Sequence, residues 1–191
     1  MVGGTMNDKV ENSTTGVPKG LVHIYFGDGK GKTTATAGLA LRAAGNDHKV
    51  LVAQFFKGRA SGEIAVLSSL PNVTVLRGDT SKKFVWEMDD AEAVVYLASQ
   101  EALLQEAWGL ASQGDFDLLV LDEILYLPFH QTVSEEQLLE MLSTKPEKLE
   151  VVMTGRKASE ALQLAADYVT EMVSVKHPYD SGTKQRRGIE F

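Results

Sequence analysis

Six short apolar runs punctuate the chain, at 21–26, 49–55, 73–76, 117–121, 149–154 and 170–176. The run at 49–55 is almost continuously apolar, which suits a strand buried on both faces of a parallel sheet. The run at 170–176 is more polar, as an edge strand would be. Stretches of helical period separate most of these runs. One follows Thr34 and stops at Gly45-Asn46. A short one, 64–70, ends at Pro71. A long one opens at Asp89, an N-cap with Glu92 in the first turn, and runs to about Gln113. Val94, Leu97, Ala98, Leu104, Trp108 and Ala111 share one face of it, with Glu101 among them. Ser134-Glu135-Glu136-Gln137 is a capping box for a helix to about Thr144. A last helix is expected over about 158–168. The alternation predicts an α/β domain with a mainly parallel six-stranded sheet. Residues 1–20 are polar, Gly-rich and aperiodic and read as a flexible arm before a single domain, 21–191.

Ligands of such sheets bind beyond the carboxyl ends of the strands, and the chemically unusual residues lie there. After the first run comes Gly27-Asp28-Gly29-Lys30-Gly31-Lys32-Thr33-Thr34, leading into a helix. A Gly-rich turn at a helix N-terminus presents backbone N–H groups and partial positive charge to a phosphate. Lys32 can reach a phosphate, and the Thr33 hydroxyl can ligate phosphate-bound Mg²⁺. This is a Walker A loop with a departure: Phe26 stands where the first Gly is usual, and Gly27 comes one residue late. Asp122 and Glu123 close the fourth strand in a Walker B pattern, able to hold Mg²⁺. In a hydrolytic enzyme Glu123 would instead activate water.

Three further stretches admit two readings each. Arg156, Lys176 and His177 follow the last two strands. They could bind outer phosphates, or be solvated charges and, for His177 before Pro178, a turn residue. Phe84 and Trp86 sit in a loop and either pack onto the core or form an apolar wedge for a flat ligand. Gln54-Phe55-Phe56-Lys57-Gly58, after the second strand, poses the same choice.

Composition narrows the classes. With 191 residues, 43% hydrophobic and 24% charged, the chain is an ordinary globular domain. A net charge of −7 speaks against nucleic acid as a partner. No cysteine is present, which excludes disulfides, thiolate metal sites and Cys catalysis. Any electron must therefore come from outside the chain. No run reaches membrane-spanning length and no signal-peptide core follows Met1, so a cytoplasmic protein without a membrane partner is expected.

Seven motifs occur in order: the loop 27–34, Gln54-Phe55-Phe56-Lys57-Gly58, Phe84-Val85-Trp86, Val120-Leu121-Asp122-Glu123, Thr154-Gly155-Arg156, the stretch 175–182, and Gly188-Ile189-Glu190-Phe191. Together they resemble the P-loop-type ATP:corrinoid adenosyltransferases, over roughly residues 20–191. The short Walker A loop is a feature of that family. The resemblance implies a three-layer, RecA-like P-loop fold and a homodimer. It implies transfer of the 5′-deoxyadenosyl group of ATP to the Co(I) of a reduced corrinoid, with release of triphosphate, in adenosylcobalamin synthesis or salvage. ATP would lie reversed in the loop relative to ordinary P-loop enzymes. The expected roles are nucleotide binding by Gly27, Asp28, Gly29, Lys30, Gly31, Lys32, Thr33, Thr34, Arg156, Lys176 and His177. Thr33, Asp122 and Glu123 would hold Mg²⁺. Lys32 would serve catalysis with Phe84 and Trp86, the aromatics displacing the lower axial ligand of the corrinoid. A separate reductase, a flavoprotein, would supply the electron. Lys83 stands where family members often carry Gly, and Lys157-Ala158 replaces a Gly-rich or polar stretch. A phosphoryl-transferring kinase or ATPase, and an ATP-dependent binding module, are the alternative readings.

Overall fold

A computed structural model describes residues 19–58, 61–79, 81 and 83–189. The expected arm lies outside these except for Lys19 and Gly20, as do Lys82 and the ending Glu190-Phe191.

The strands are β1 (Val22–Phe26), β2 (Val50–Gln54), β3 (Val73–Arg77), β4 (Leu118–Asp122), β5 (Glu150–Thr154) and β6 (Tyr168–Glu171). They form one sheet in the order β3-β2-β4-β5-β1-β6, with every pairing parallel. Parallel pairing requires crossovers, and helices α1 (Lys32–Ala44), α2 (Gly62–Leu67), α3 (Asp90–Ser112), α4 (Tyr126–Phe129), α5 (Glu135–Ser143) and α6 (Glu160–Ala165) lie in or beside them. One face of the sheet packs Leu51, Leu119 and Val151 against Leu104 and Ala107 of α3, Leu138 of α5 and Leu162 of α6. The other packs Val50, Val52, Val120 and Val152 against Ala40 and Ala44 of α1 and Ile64 and Leu67 of α2. Each such side chain taken fully out of water contributes about 1.5–3 kcal/mol before entropic costs. The central strands β2 and β4 are buried at every residue. The result is the three-layer α/β arrangement of RecA-like P-loop proteins.

Three expectations need correction. The buried face of α3 is Tyr96, Gln100, Leu103, Leu104, Ala107 and Ala111, whereas Val94 is 67% exposed. The face is turned because a polar residue is satisfied inside: Gln100 Oε1 accepts from the Phe56 N–H at 2.9 Å. Glu101 thus lies at the border of the face, half-buried, accepting from Gln105. Helix α6 stops at Ala165 rather than near Tyr168, and β6 spans Tyr168–Glu171 rather than 170–176. Tyr168 pairs with β1 beside His23, ring centroids 4.5 Å apart, and the chain after Glu171 leaves the sheet to run under the β1–α1 turn. The four-residue α4 was not expected, since Pro128 lies within it; a first turn tolerates proline because it needs no N–H there. Strand β6 is exposed at all four positions and is an edge, as its polarity suggested.

Candidate functional site

The turn between β1 and α1 is stitched to the segment that follows β6. The Gly29 N–H donates to Met172 O at 2.7 Å, and the Ser174 N–H donates to Asp28 Oδ1 at 3.1 Å. A Cβ on Gly27 or Gly29 would lie 2.3 or 2.6 Å from Met172 O, so only glycine permits this approach. Gly31 caps α1 with φ +117°, without a side-chain acceptor and with no acidic residue in the first turn. Helices α3 and α5, by contrast, begin with capping boxes at Asp89 and Ser134, each cap contributing about 1 kcal/mol. The uncapped end of α1 keeps its N–H groups and positive potential for an anion. A cavity of about 190 Å³ lies there, lined by residues 29–34 with Glu123 and Ile189. Lys32 Nζ donates to the carbonyls of Gly27 and Gly29 at 2.7 and 2.8 Å. Burial lowers its pKa, partly offset by Glu123 and Asp28.

Below the loop, Asp122 is 2% exposed and gathers donors from the ends of β2 and β5, the start of α1 and the loop after β2. Thr33 Oγ1 donates to it at 3.0 Å, Thr154 Oγ1 at 2.9 Å, and Gln54 Nε2 at 3.2 Å. Lys57 Nζ lies 2.7 Å from Asp122 Oδ2 and donates to Thr33 Oγ1 at 2.6 Å. A carboxylate so buried needs this many partners, because a buried charge left unpaired is costly. Glu123, the next residue, has φ +69° and is held by its N–H donating to Thr154 Oγ1 at 2.8 Å. Burial, then the adjacent Asp122, raise its pKa; Lys57 and Lys32 pull it back. Its Oε2 is buried without a hydrogen-bond partner among the described residues. Phe56, at the end of β2, also has positive φ, +53°. Backbone strain of this kind costs about 1–3 kcal/mol and concentrates at working sites.

Glu123 also lines a second cavity, of about 310 Å³, which it shares with Lys57 and which is walled by Phe56, Phe84, Trp86, Tyr96, Tyr126, Phe129 and His130. Phe84 and Trp86 stack with ring centroids 4.5 Å apart and an interplanar angle of 6°. They are 50% and 78% exposed, so they do not pack back onto the core. Their turn, Val85–Glu87, is fixed by the Phe84 N–H donating to Glu87 Oε2, and Lys83 pairs with Glu92 at 2.7 Å. Phe56 sits at the back, edge-on to Tyr96 and Tyr126, with His130 tilted against it. Burial lowers the pKa of His130, favouring neutral imidazole.

The structure thus brings the loop 27–34, Asp122, Glu123, Phe84 and Trp86 around two adjoining cavities. Arg156 stays at the edge: its carbonyl accepts from the Gly27 N–H, while its charge bears on Lys32 and Tyr126. His177 acts locally, its Nδ1 accepting from the Tyr179 N–H, and no contact among the described residues ties Lys176 to the loop. Gln54, Lys57, Thr154, Tyr96, Tyr126, Phe129 and His130 were not singled out as site residues by the sequence. For Lys57 and Thr154 a signal existed, since both stand in motifs that follow strands. A larger cavity, about 500 Å³, lies at the opposite end of the sheet, lined by Lys19, Arg42, His48, Asp117 and others. No motif reaches it, and parallel sheets place ligands at the other end.

Fold and site together define a P-loop nucleotide-binding protein with a second, aromatic cavity beside its phosphate loop. The family model described as "ATP:corrinoid adenosyltransferase BtuR/CobO/CobP" matches residues 18–191. The chain belongs to this family. It is 36% identical over 174 residues to a corrinoid adenosyltransferase of Pseudomonas aeruginosa, covering 91% of this chain and 84% of that one. It is 32% identical to that of Escherichia coli K12 and 33% identical to Corrinoid adenosyltransferase CobA of Salmonella typhimurium, each across 91% of this chain and 86% of the relative.

Proposed function

We propose that this protein transfers the 5′-deoxyadenosyl group of ATP to the Co(I) of a reduced corrinoid, with ATP in the loop cavity and the corrinoid against the aromatic one. The observation that carries this reading is the junction of the two cavities at Glu123. A polar site for a triphosphate opens directly beside an apolar site for a flat macrocycle. Co(I) attacks the ribose C5′; the cobalt–carbon bond forms, the C5′–O bond breaks, and triphosphate leaves with the electron pair. Co(I) has no proton to lose, so no general base is required. The chain must instead stabilise the leaving triphosphate, through the loop N–H groups and Lys32 once it turns from the Gly27 and Gly29 carbonyls to the phosphates.

Thr33 and Asp122 fit Mg²⁺: they offer hard oxygen donors within 3.2 Å of one another, where a cation, the Lys57 ammonium, already sits. Glu123 adjoins them, and bound Mg²⁺ would supply charge neutralisation to the triphosphate. Arg156, Lys176 and His177 would complete the nucleotide site by side-chain movement. Phe84 and Trp86, exposed and stacked, are suited to press on the lower corrin face and exclude its axial ligand. With no cysteine in the chain, the electron that makes Co(I) comes from a separate reductase, a flavoprotein, in the cytoplasm. Among the described residues no helix is long and apolar enough to cross a membrane. The working unit is a homodimer of the single domain 21–191.

The product distinguishes this chemistry from attack at phosphorus. Given Mg²⁺-ATP and a reduced corrinoid, the protein is expected to yield inorganic triphosphate and a light-sensitive cobalt–carbon bond in equal amounts. Phosphorus NMR with the visible spectrum of the corrinoid reads both. Corrinoid-independent release of ADP and orthophosphate at enzymatic rates would overturn the reading.

A further inference from the structure

Lys57 stands in the wrong place for a metal site that is ready to be filled. Its ammonium lies 2.6 Å from Thr33 Oγ1 and 2.7 Å from Asp122 Oδ2. Mg²⁺ needs the same oxygens at about 2.0–2.1 Å. Two cations cannot share that space, and at such separations their repulsion is large even at protein-surface dielectric. We propose that Lys57 is an exchangeable internal counter-ion: it neutralises Asp122 while the nucleotide site is empty and is expelled when the metal–nucleotide arrives. This deepens the reading of Thr33 and Asp122 as metal ligands and rests on it.

Three features support exchange rather than a permanent ion pair. Asp122 is buried, and a buried carboxylate without a counter-charge is costly, so an empty site needs a resident cation. The lysine side chain is 29% exposed, against 2% for its partner, so the ammonium has a route out. The main chain need not move: Arg77 Nη2 donates to the Lys57 carbonyl, fixing the point from which the flexible stem swings. An acceptor also waits nearby. Glu123 Oε2 is buried without a hydrogen-bond partner among the described residues, and Lys57 already acts on Glu123 electrostatically. Both residues line the aromatic cavity, so the departing ammonium stays between the two ligands' sites. Arginine could not perform this role equally, since its planar, more weakly hydrated fork would hold the carboxylate more firmly than a point charge.

The test is Mn²⁺ binding, read by electron paramagnetic resonance, to the nucleotide-free full-length chain. Lys57→Met should bind Mn²⁺ at least about tenfold more tightly than wild type, because the competitor is gone. Lys57→Arg, which keeps a cation, should bind no more tightly than wild type. Equal affinity of wild type and Lys57→Met, no binding by either at millimolar Mn²⁺, or equally tight binding by Lys57→Arg and Lys57→Met would overturn the inference. A parallel titration with ATP present separates it from the reading beneath. If Asp122→Asn loses the Mn²⁺ bound with ATP while Lys57→Met leaves the nucleotide-free affinity unchanged, the metal ligands stand and the counter-ion role fails. If Asp122→Asn binds Mn²⁺–ATP as wild type does, the metal assignment itself fails.

Discussion

The two cavities that meet at Glu123 are built on opposite plans. Around the phosphate loop a dense set of polar bonds fixes the frame: Asp122 accepts from Thr33, Gln54, Lys57 and Thr154, and the loop backbone is bonded to Arg156 and Met172. The aromatic cavity is held by few such bonds and shows Phe84, Trp86 and Phe129 at 50–78% exposure. A charged triphosphate rewards preorganised dipoles, which need no rearrangement when charge develops. A large apolar ligand rewards uncovered surface, since its affinity comes from area removed from water. One side of the site is therefore assembled in advance, and the other is completed by its ligand.

Breaking the preorganised side should have the largest effect. Lys32→Ala or Thr33→Ala is expected to lower kcat by about 10²–10³ with the fold intact, the usual result of removing one charge-stabilising group from such a site. Steady-state turnover with circular dichroism checks both, and near-wild-type kcat in either variant would remove its assigned role. On the apolar side the effect should be smaller and divisible. Phe84→Ala and Trp86→Ala should impair reduction of Co(II) more than transfer, so chemically prepared Co(I) should restore much of the activity. Equal impairment with Co(I) would show that the pair serves packing or binding alone.

The smallest effect falls on the residue shared by both sides. The Glu123 carboxyl has its pKa raised by burial, so folding favours its protonated form. Its contribution to stability is then present below the unfolded value and is lost as pH rises through the folded one. Glu123→Gln should therefore melt higher than wild type at pH 8, with the gain shrinking towards pH 4. A constant difference across that range, measured by calorimetry, would mean that the charge is not the cause.

The two sides also differed in how far they could be read from sequence. The loop and Asp122-Glu123 were legible because their spacing is local: a strand, a Gly-rich turn and a helix follow one another within residues 22–44. The partners of Asp122 were not, because the sheet brings them together. Strand order sets β2 and β5 on either side of β4, register places Gln54 opposite Asp122, and Thr154 ends the strand on the other flank. No spacing along the chain encodes that neighbourhood. Most of the aromatic wall is equally non-local, since Phe56, Tyr96 and Tyr126 come from three separate segments. The turned face of α3 was missed for a related reason: Gln100 counts as polar in any periodicity, yet its amide is satisfied by the Phe56 N–H.

The stitching of the phosphate loop to Met172 and Ser174 bears on how the protein comes into being. The loop leaves the ribosome well before the groups that receive the Gly29 N–H and supply the contact to Asp28, which lie some 145 residues further along. Strand β1, too, is flanked by β5 and β6, both made long after it. A nascent chain therefore carries its most recognisable motif through the synthesis of all the intervening residues without the scaffold that shapes it. The motif is written before the scaffold that makes it a binding site.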